Sequence, residues 1–363
     1  MLTMTGTDQE IAGLPASLRA ELRALGESDE DRLPAGLVTK LRRSGLTGRV
    51  MSAEYGGSDE SLPDFTRTLR AVAELNGSAA WLVMVWAQGN LILPRLSPWA
   101  RDRILADPDV PLIAATSAGK GSVREQNGVL RVDGRWNYVS GVCHAQWVLV
   151  HCEHEESQRT VGVVLPADAV AIDRTWQVMG LAATGSHSAV VDGVSVRPEQ
   201  LYPLDTFDET AVLTRHDRLP HRMAYALHMA AVCAGLARGA LRDVAEILQG
   251  SPPDHRTVEL GDLAGRLTMA EAALERASAQ VWNETAEGSW SEAEISGLAR
   301  AICRMAASVT QGAFGLAGSR ANFTTVPVQR RLRDVLAASS HANVGAQRAS
   351  ALGELLTGRG GLV

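Results

Sequence analysis

The stretch "GVLRVDGRWNYVSG" (residues 128–141) alternates apolar and polar side chains with a period of two, which is typical of a half-buried β-strand. Three further runs are similar and rich in β-branched residues: "AQWVLVHCE" (145–153), "RTVGVVLP" (159–166) and "SAVVDGVSVRP" (188–198). Gly, Asp, Ser and Pro separate the runs, as expected for turns. The pattern predicts a central antiparallel β domain at residues 111–212.

The segments on both sides of this region have the period of a helix. "PASLRAELRAL" (15–25) and "LPAGLVTKLRRSGL" (33–46) place apolar residues three and four apart, and "SAAWLVMVWAQGNLIL" (78–93) is apolar nearly all round, as in a buried helix. Helical patterns return with "RMAYALHMAAVCAGLARGALRDVAEIL" (222–248). We therefore predict a mostly α, α+β fold with an N-terminal helical domain (1–110), the β domain and a C-terminal helical bundle (213–363).

Composition excludes several classes of protein. The chain has 363 residues and a net charge of −6, which argues against a nucleic-acid partner. We see no run that approaches the roughly 18 apolar residues of a membrane span, and the N-terminus lacks the basic and apolar regions of a signal peptide. The four cysteines are scattered and do not indicate a disulfide framework. A cytoplasmic enzyme is expected.

Several phrases, in this order along the chain, resemble the acyl-CoA dehydrogenase fold. They are "LRRSGLTGRVMSAEYGGSDESL" (41–62), "LRAVAELNGSAAWLVMVWAQGN" (69–90), "GRWNYVSGVCHAQWVLV" (134–150) and "TWQVMGLAATGSHSAVVDGVSVRPEQL" (175–201). A true dehydrogenase carries a glutamate base shortly after an Arg-Asp pair. Here Arg333-Asp334 is followed by His341 and then Ala342. That replacement is more similar to the flavin-dependent two-component monooxygenases of this fold, such as steroid-ring phenol hydroxylases, dibenzothiophene monooxygenases and nitrososynthases.

The resemblance implies a cofactor and a reaction. Such enzymes take reduced FMN or FAD from a separate flavin reductase, form a flavin C4a-hydroperoxide with O2 and oxygenate a small-molecule substrate. The segment "LQGSPPDHRTVELG" (248–261) stands where dehydrogenases have an Arg-x-Gln-Phe-Gly phrase that helps to hold FAD, so we expect a borrowed flavin. The family also implies a homodimer or homotetramer, and the Ala-, Arg- and Gly-rich composition favours secondary metabolism, such as antibiotic biosynthesis.

The resemblance also assigns site residues. His341 is the expected acid–base group, with a pKa near ~6.5, and lies on one predicted helical face with Asp334. Ser140, the second expected catalytic residue, is expected close to the flavin ring. The full set of expected cofactor contacts is Thr116, Ser117, Tyr138, Ser140, Gly141, Thr184, Ser186, Gly318, Ser319, Arg330 and Arg333. The two arginines could instead pair with Asp334.

Expected substrate contacts are Trp86, Gln88, Asn90 and His187. Several family members have a histidine base where this chain has Gln88 and Asn90, and neither amide is a base near neutral pH. The substrate is then intrinsically nucleophilic, or another group serves as the base. No metal site is predicted, because His151 and Cys152 in "CHAQWVLVHCEH" point to opposite faces of a strand.

Two other functions stay open at this stage. One is an acyl-CoA dehydrogenase-like FAD oxidoreductase, acting as a desaturase or oxidase, in which Glu271 or Glu54 serves as an atypical base. The other is a non-catalytic flavin-fold partner protein. A dehydrogenase should purify yellow and bleach with an acyl thioester, whereas a two-component oxygenase should purify nearly colourless.

Overall fold

The computed structural model of the chain describes residues 14–25, 31–250, 252–283 and 290–358. Residues 1–13, which contain most of the segment used for the signal-peptide prediction, lie outside the described residues. The predicted succession of helices, strands and helices is present. The mostly α, α+β fold class is therefore confirmed.

The N-terminal region is helical. Its helices are α1 (Ala16–Ala24), α2 (Ala35–Arg43), α3 (Leu62–Leu75), α4 (Gly77–Asn90) and α5 (Pro98–Ile104). The Ser61 hydroxyl accepts a hydrogen bond from Asp64 N and so caps α3, while the Asn76 side chain caps α4. Every residue of α4 except Gln88 is buried, which confirms the prediction of a buried helix.

The central region forms one eight-stranded sheet. Its strands are β1 (Ile113–Thr116), β2 (Gly119–Gln126), β3 (Val129–Trp136), β4 (Trp147–His154), β5 (Arg159–Pro166), β6 (Ala171–Asp173), β7 (Ser188–Val196) and β8 (Leu201–Tyr202). The order is β6-β7-β3-β2-β4-β5-β8, with β1 also paired to β4.

The prediction of an antiparallel sheet is wrong at β4, which runs parallel to β1 and β2. Residues 137–146 between β3 and β4 form an irregular connection instead of a tight hairpin. The chain therefore enters β4 in the direction of β2, as a crossover requires. This connection carries Tyr138, Ser140 and Gly141.

The C-terminal region is again helical. Its helices are α6 (Arg215–Arg218), α7 (His221–Leu248), α8 (His255–Asn283), α9 (Glu292–Ala317), α10 (Val328–Ser339) and α11 (Ala346–Leu356). Contrary to the expectation from sequence, α7 is long and apolar enough to cross a membrane by length and composition alone. Since 89% of its most apolar 18-residue stretch is buried inside the fold, α7 is a core helix here. It packs against α3, α4, α8, α9 and α10.

Candidate active site

A chain of hydroxyl groups links helix α4 to the β domain. Trp81 Nε1 donates to Ser140 Oγ at 3.2 Å, Ser140 Oγ lies 2.8 Å from Ser186 Oγ, and Ser186 Oγ lies 2.8 Å from Thr184 Oγ1. Thr184 Oγ1 then donates to the Leu181 carbonyl at 2.7 Å. The structure therefore brings together three of the residues expected around the flavin.

The two ends determine the direction of this chain. An indole N–H can only donate and a carbonyl can only accept. Each hydroxyl in between therefore donates its hydrogen bond to the next group in the direction of Leu181. Ser140 thus accepts from Trp81 and donates to Ser186. Of its two lone pairs, one stays available to an N–H group of a ligand.

The backbone around Ser140 depends on the left-handed conformation. Tyr138 has a φ of 57° and Gly141 a φ of 76°. A Cβ atom on Gly141 would lie 2.5 Å from Trp86 Nε1, so only glycine fits here. Trp86, expected at the substrate, is fully buried beneath this turn, and its predicted substrate contact stays a prediction.

Asp334 positions the loop that supplies Thr184 and Ser186. Its Oδ1 accepts a hydrogen bond from Leu181 N at 2.6 Å, and Leu181 has a left-handed φ of 54°. A Cβ atom on Gly180 would collide with the Arg333 carbonyl, so this loop lies directly on helix α10. Burial raises the pKa of Asp334, and the Leu181 N–H and the nearby Arg330 oppose that shift.

His341 does not lie on a helical face with Asp334, so that prediction is wrong. Helix α10 ends at Ser339, and His341 has extended backbone angles. Spacing by seven aligns two side chains only while the helix continues. The ring turns instead towards Trp81 and Tyr225, at centroid distances of 5.7 and 6.1 Å. His341 is therefore beside the hydroxyl chain after all, but through a different geometry.

The expected acid–base behaviour of His341 also needs correction. Burial lowers the pKa of His341 to about 4, so the ring is neutral at pH 7. Its Nδ1 accepts a hydrogen bond from Asn343 N at 3.2 Å, which leaves the ring proton on Nε2. His341 consequently presents a neutral N–H donor.

A partly apolar surface lies next to the hydroxyl chain. Tyr138 is 66% exposed and Met179 is 53% exposed, and the Tyr138 ring meets Trp176 edge to face at 6.2 Å. Ser117 is also exposed. It follows Thr116, whose hydroxyl donates to the Asn137 carbonyl at 3.0 Å. Exposed aromatic and thioether side chains bordering a hydrogen-bonding turn fit a flat heteroaromatic ring with polar edges, such as a flavin.

Two of the expected cofactor contacts, Arg330 and Arg333, have partners within the protein. Arg330 donates through Nη1 to the Leu25 carbonyl, and Arg333 donates through Nη1 to the Met179 carbonyl at 2.8 Å. Both guanidinium groups thus bind backbone carbonyls, and they lie close enough to Asp334 to act on its charge. Gly318 and Ser319 are exposed at the end of helix α9. Their flavin contacts stay predictions.

Two expected substrate contacts have protein partners. His187 is 1% exposed, accepts a hydrogen bond at Nδ1 from Trp176 N at 3.1 Å and has Nε2 2.9 Å from Asp31 Oδ2. Asn90 is equally buried and donates to the Thr47 carbonyl at 3.0 Å. The His187–Asp31 contact joins the β domain to the N-terminal region, and the Asn90–Thr47 contact joins α4 to the segment that follows α2.

The two alternative bases lie in other surroundings. Glu271 accepts two hydrogen bonds from Arg238, from Nε at 2.9 Å and from Nη2 at 2.6 Å. Glu54 is exposed in a short 3-10 turn. In the described part of the chain, no three His, Cys, Asp or Glu side chains are grouped as metal ligands.

Sequence reasoning missed a buried polar cluster. Gln88 Nε2 lies 2.5 Å from Nδ1 of His228, and the His228 ring lies 6.5 Å from that of His216. His228 sits in the apolar helix α7, where a lone histidine looks like an ordinary core residue. Its proximity to Gln88, 140 residues away, is visible only in the fold.

Comparisons with known proteins agree with the predicted resemblance. Residues 227–345 match the family described as acyl-CoA dehydrogenase, C-terminal domain. Over 344 residues the chain is 24% identical to indole-3-acetate monooxygenase of Acinetobacter baumannii, covering 90% of this chain and 88% of that protein. It is 27% identical over 185 residues to the flavin-dependent monooxygenase oxygenase subunit HsaA of Rhodococcus jostii, covering 50% of this chain and 48% of that protein.

The structural comparison supports the fold. XiaF from Streptomyces sp., solved in complex with FADH2 and glycerol, superimposes with a TM-score of 0.81 at 20% identity. The superposition covers 99% of this chain and 94% of XiaF. Of these relatives, HsaA is by name the oxygenase subunit of a flavin-dependent monooxygenase, and the fold of this chain is that of XiaF.

Proposed function

We propose that this chain is the oxygenase component of a two-component monooxygenase that uses reduced FMN or FAD and O2 to oxygenate a small organic molecule. The observation that carries the proposal is the directed hydroxyl chain from Trp81 to Leu181, with the neutral His341 beside it. The hydroxyl chain lies next to an exposed apolar turn. The protein that contains it is similar over nearly its whole length to a monooxygenase.

The residues present fit a flavin. Bound reduced flavin would supply two electrons for the activation of O2. The turn at Tyr138, Ser140 and Gly141 and the loop with Thr184 and Ser186 would hold its ring, with Thr116 and Ser117 at the same edge. Arg330, Arg333, Gly318 and Ser319 are proposed for the phosphate end.

Two side chains have defined parts in the reaction. Ser140 accepts an N–H of the ligand on its free lone pair, because its own proton is directed to Ser186. His341 donates its Nε2 proton as a hydrogen bond to a reacting oxygen and stays neutral at pH 7. The surrounding Trp81 and Tyr225 rings exclude water, which protects the reacting group from hydrolytic side reactions.

The proposal extends to partners and location. A separate flavin reductase supplies the reduced cofactor, and the protein acts in the cytoplasm. We propose a homodimer or homotetramer built on the C-terminal helices and a role in secondary metabolism, including antibiotic biosynthesis. The substrate is a small molecule.

Rapid mixing tests this function. Purified protein with anaerobically reduced FMN, or FAD in a parallel series, is mixed with oxygenated buffer while the near-ultraviolet flavin spectrum is followed. We expect a species that differs from both reduced and oxidised flavin and lives for seconds or longer. Ser140→Ala should shorten its lifetime at least tenfold, since the acceptor for the flavin N–H is lost.

Ser195→Ala is the matched control, because Ser195 is an exposed serine on β7. Its traces should equal those of the wild type. Immediate reoxidation by the wild type at every flavin and pH tested would contradict the proposal. Tightly bound yellow FAD that bleaches with an acyl thioester would establish the dehydrogenase alternative instead.

A further inference from the structure

The three side chains of the hydroxyl chain differ in their access to a ligand. Ser140 is 9% exposed, whereas Thr184 and Ser186 are 1% and 3% exposed. The hydroxyl groups of Thr184 and Ser186 therefore act on a bound molecule through Ser140. They still matter to that molecule, because they determine whether Ser140 donates a hydrogen bond to it or accepts one from it.

The Leu181 carbonyl forces the direction of the chain. Thr184 Oγ1 lies 2.7 Å from the Leu181 carbonyl oxygen, a separation at which two oxygen atoms need a proton between them. A carbonyl has no proton, so Thr184 is the donor. The same carbonyl also accepts hydrogen bonds from Thr184 N at 3.1 Å and from Trp176 Nε1 at 3.2 Å, and these contacts hold it in place.

Each hydroxyl group has one proton, and this carries the direction to Ser140. Thr184 gives its proton to Leu181, so it can only accept from Ser186, 2.8 Å away. Ser186 then gives its proton to Thr184 and can only accept from Ser140, also 2.8 Å away. The proton of Ser140 is thus directed into the protein, and Ser140 offers a lone pair to a ligand.

The Trp81 end of the chain does not impose this direction by itself. Trp81 Nε1 donates to Ser140 Oγ at 3.2 Å, and a hydroxyl oxygen with two lone pairs can accept that bond together with one from Ser186. Ser140 would then donate its own proton to the ligand. The contact of Thr184 with Leu181 excludes this arrangement, so the direction is decided at the Thr184 end.

The direction matters to a flavin, because its two oxidation states differ at ring nitrogen N5. In reduced flavin N5 carries a proton and donates a hydrogen bond, whereas in oxidised flavin N5 has a lone pair and accepts one. Two acceptors that face each other out of water are both left without a partner, and a site built for one form rejects the other. A site that presents an acceptor therefore favours the reduced form.

We propose that Thr184 is a positioning residue that sets the preference of the flavin site for the reduced cofactor. By donating to Leu181, it commits Ser140, through Ser186, to accept a hydrogen bond. This inference rests on the proposed function and deepens it, since it assigns the choice between oxidation states to one buried threonine. The preference is a property of binding, so it is measurable without oxygen and without a substrate.

Affinities for the two oxidation states test the inference. Dissociation constants of oxidised FMN and of reduced FMN are measured by anaerobic ultrafiltration, with FAD in a parallel series. Wild type should bind the reduced form about tenfold more tightly, which raises the midpoint potential of the bound two-electron couple by about 30 mV relative to the free flavin. Thr184→Val keeps the shape of the side chain without its hydroxyl group and should abolish the preference. Thr184→Ser keeps the hydroxyl group and should keep the preference.

Three further variants separate the direction of the hydrogen bonds from packing. Ser186→Ala should abolish the preference as Thr184→Val does, because the proton of Ser140 loses its acceptor within the protein. Trp81→Phe should keep the preference, whatever it does to the two affinities. Thr310→Val is the matched control and should also keep it, since Thr310 is 0% exposed and donates to the Ala306 carbonyl at 2.8 Å within α9.

The outcomes separate the inference from its alternatives. A wild-type preference in both Thr184→Val and Ser186→Ala would overturn it, as would a preference that is lost in Trp81→Phe but kept in Thr184→Val. Equal affinities of the wild type for both oxidation states, together with a flavin intermediate in rapid mixing with oxygen, would refute the inference and leave the proposed function standing. No binding of FMN or FAD in either oxidation state would refute both.

Discussion

Asp334 is predicted to determine the shape of the loop that carries Thr184 and Ser186. Its Oδ1 accepts the Leu181 N–H at 2.6 Å, and Oδ2 is so close to the start of α4 that a Cβ atom on Gly77 would lie 3.0 Å from it. One carboxyl group therefore joins α10, the 180–186 loop and the N-terminus of α4. Removing this carboxyl group should loosen the packing of these three segments on one another. Replacing it with an uncharged oxygen acceptor should not.

The expected magnitude follows from these contacts. Asp334→Ala removes a buried charged acceptor, worth about 1.5–3 kcal/mol, and leaves a buried Leu181 N–H without a partner. We expect a loss of about 3 kcal/mol in the free energy of unfolding. Asp334→Asn keeps an oxygen acceptor of the same shape. Because burial raises the pKa of Asp334, the neutral amide avoids a desolvation cost, and its loss should be below about 1 kcal/mol.

Urea unfolding at pH 7.5 measures both variants, with Asp173→Ala as the control. The Asp173 side chain is half exposed and pairs with Arg135, so its removal should change stability by less than about 0.5 kcal/mol. In rapid mixing with reduced FMN and oxygen, Asp334→Ala should shorten the lifetime of the flavin intermediate and Asp334→Asn should not. Equal destabilisation by the Ala and Asn variants would refute the reasoning, since it would assign the effect to the charge instead of the acceptor.

Two further predictions concern pH and the glycine turn. Burial lowers the pKa of His216 to about 4, from a value near ~6.5 in the unfolded chain. The stability that the neutral ring contributes is therefore fully present above about pH 6.5 and is lost as the pH falls towards 4. The total loss is about 3 kcal/mol. Urea unfolding between pH 7.5 and 4.5 should show this slope, and His216→Phe should reduce the loss by about 3 kcal/mol while the buried His341, with a pKa of about 4, keeps its own contribution. An unchanged slope in His216→Phe would contradict the assignment. Gly141→Ala should cost about 2–4 kcal/mol, from the left-handed φ and the clash with Trp86, whereas Gly128→Ala, with a similar φ and open space, should cost about 1 kcal/mol in the same assay.

Local features of the chain were readable from the sequence because they depend on neighbours along the chain. The alternation in residues 128–141 predicted strand β3. The apolar character of residues 78–93 predicted a buried helix, and the order of these elements with their phrases predicted the fold class. Ser140, Thr184 and Ser186 were also chosen from such phrases, and the structure brings them together.

Other features were decided only by the tertiary structure, because they join residues that are distant in sequence. The crossover at residues 137–146 made β4 parallel to β2, which alternation cannot show. His341 left the helix that its spacing implied, and burial against Trp81 and Tyr225 lowered its pKa. The pairing of Gln88 with His228 required α4 and α7 to pack together. Periodicity determines which face of an element is buried, but only the packed fold determines which polar groups are buried together and which protons they keep.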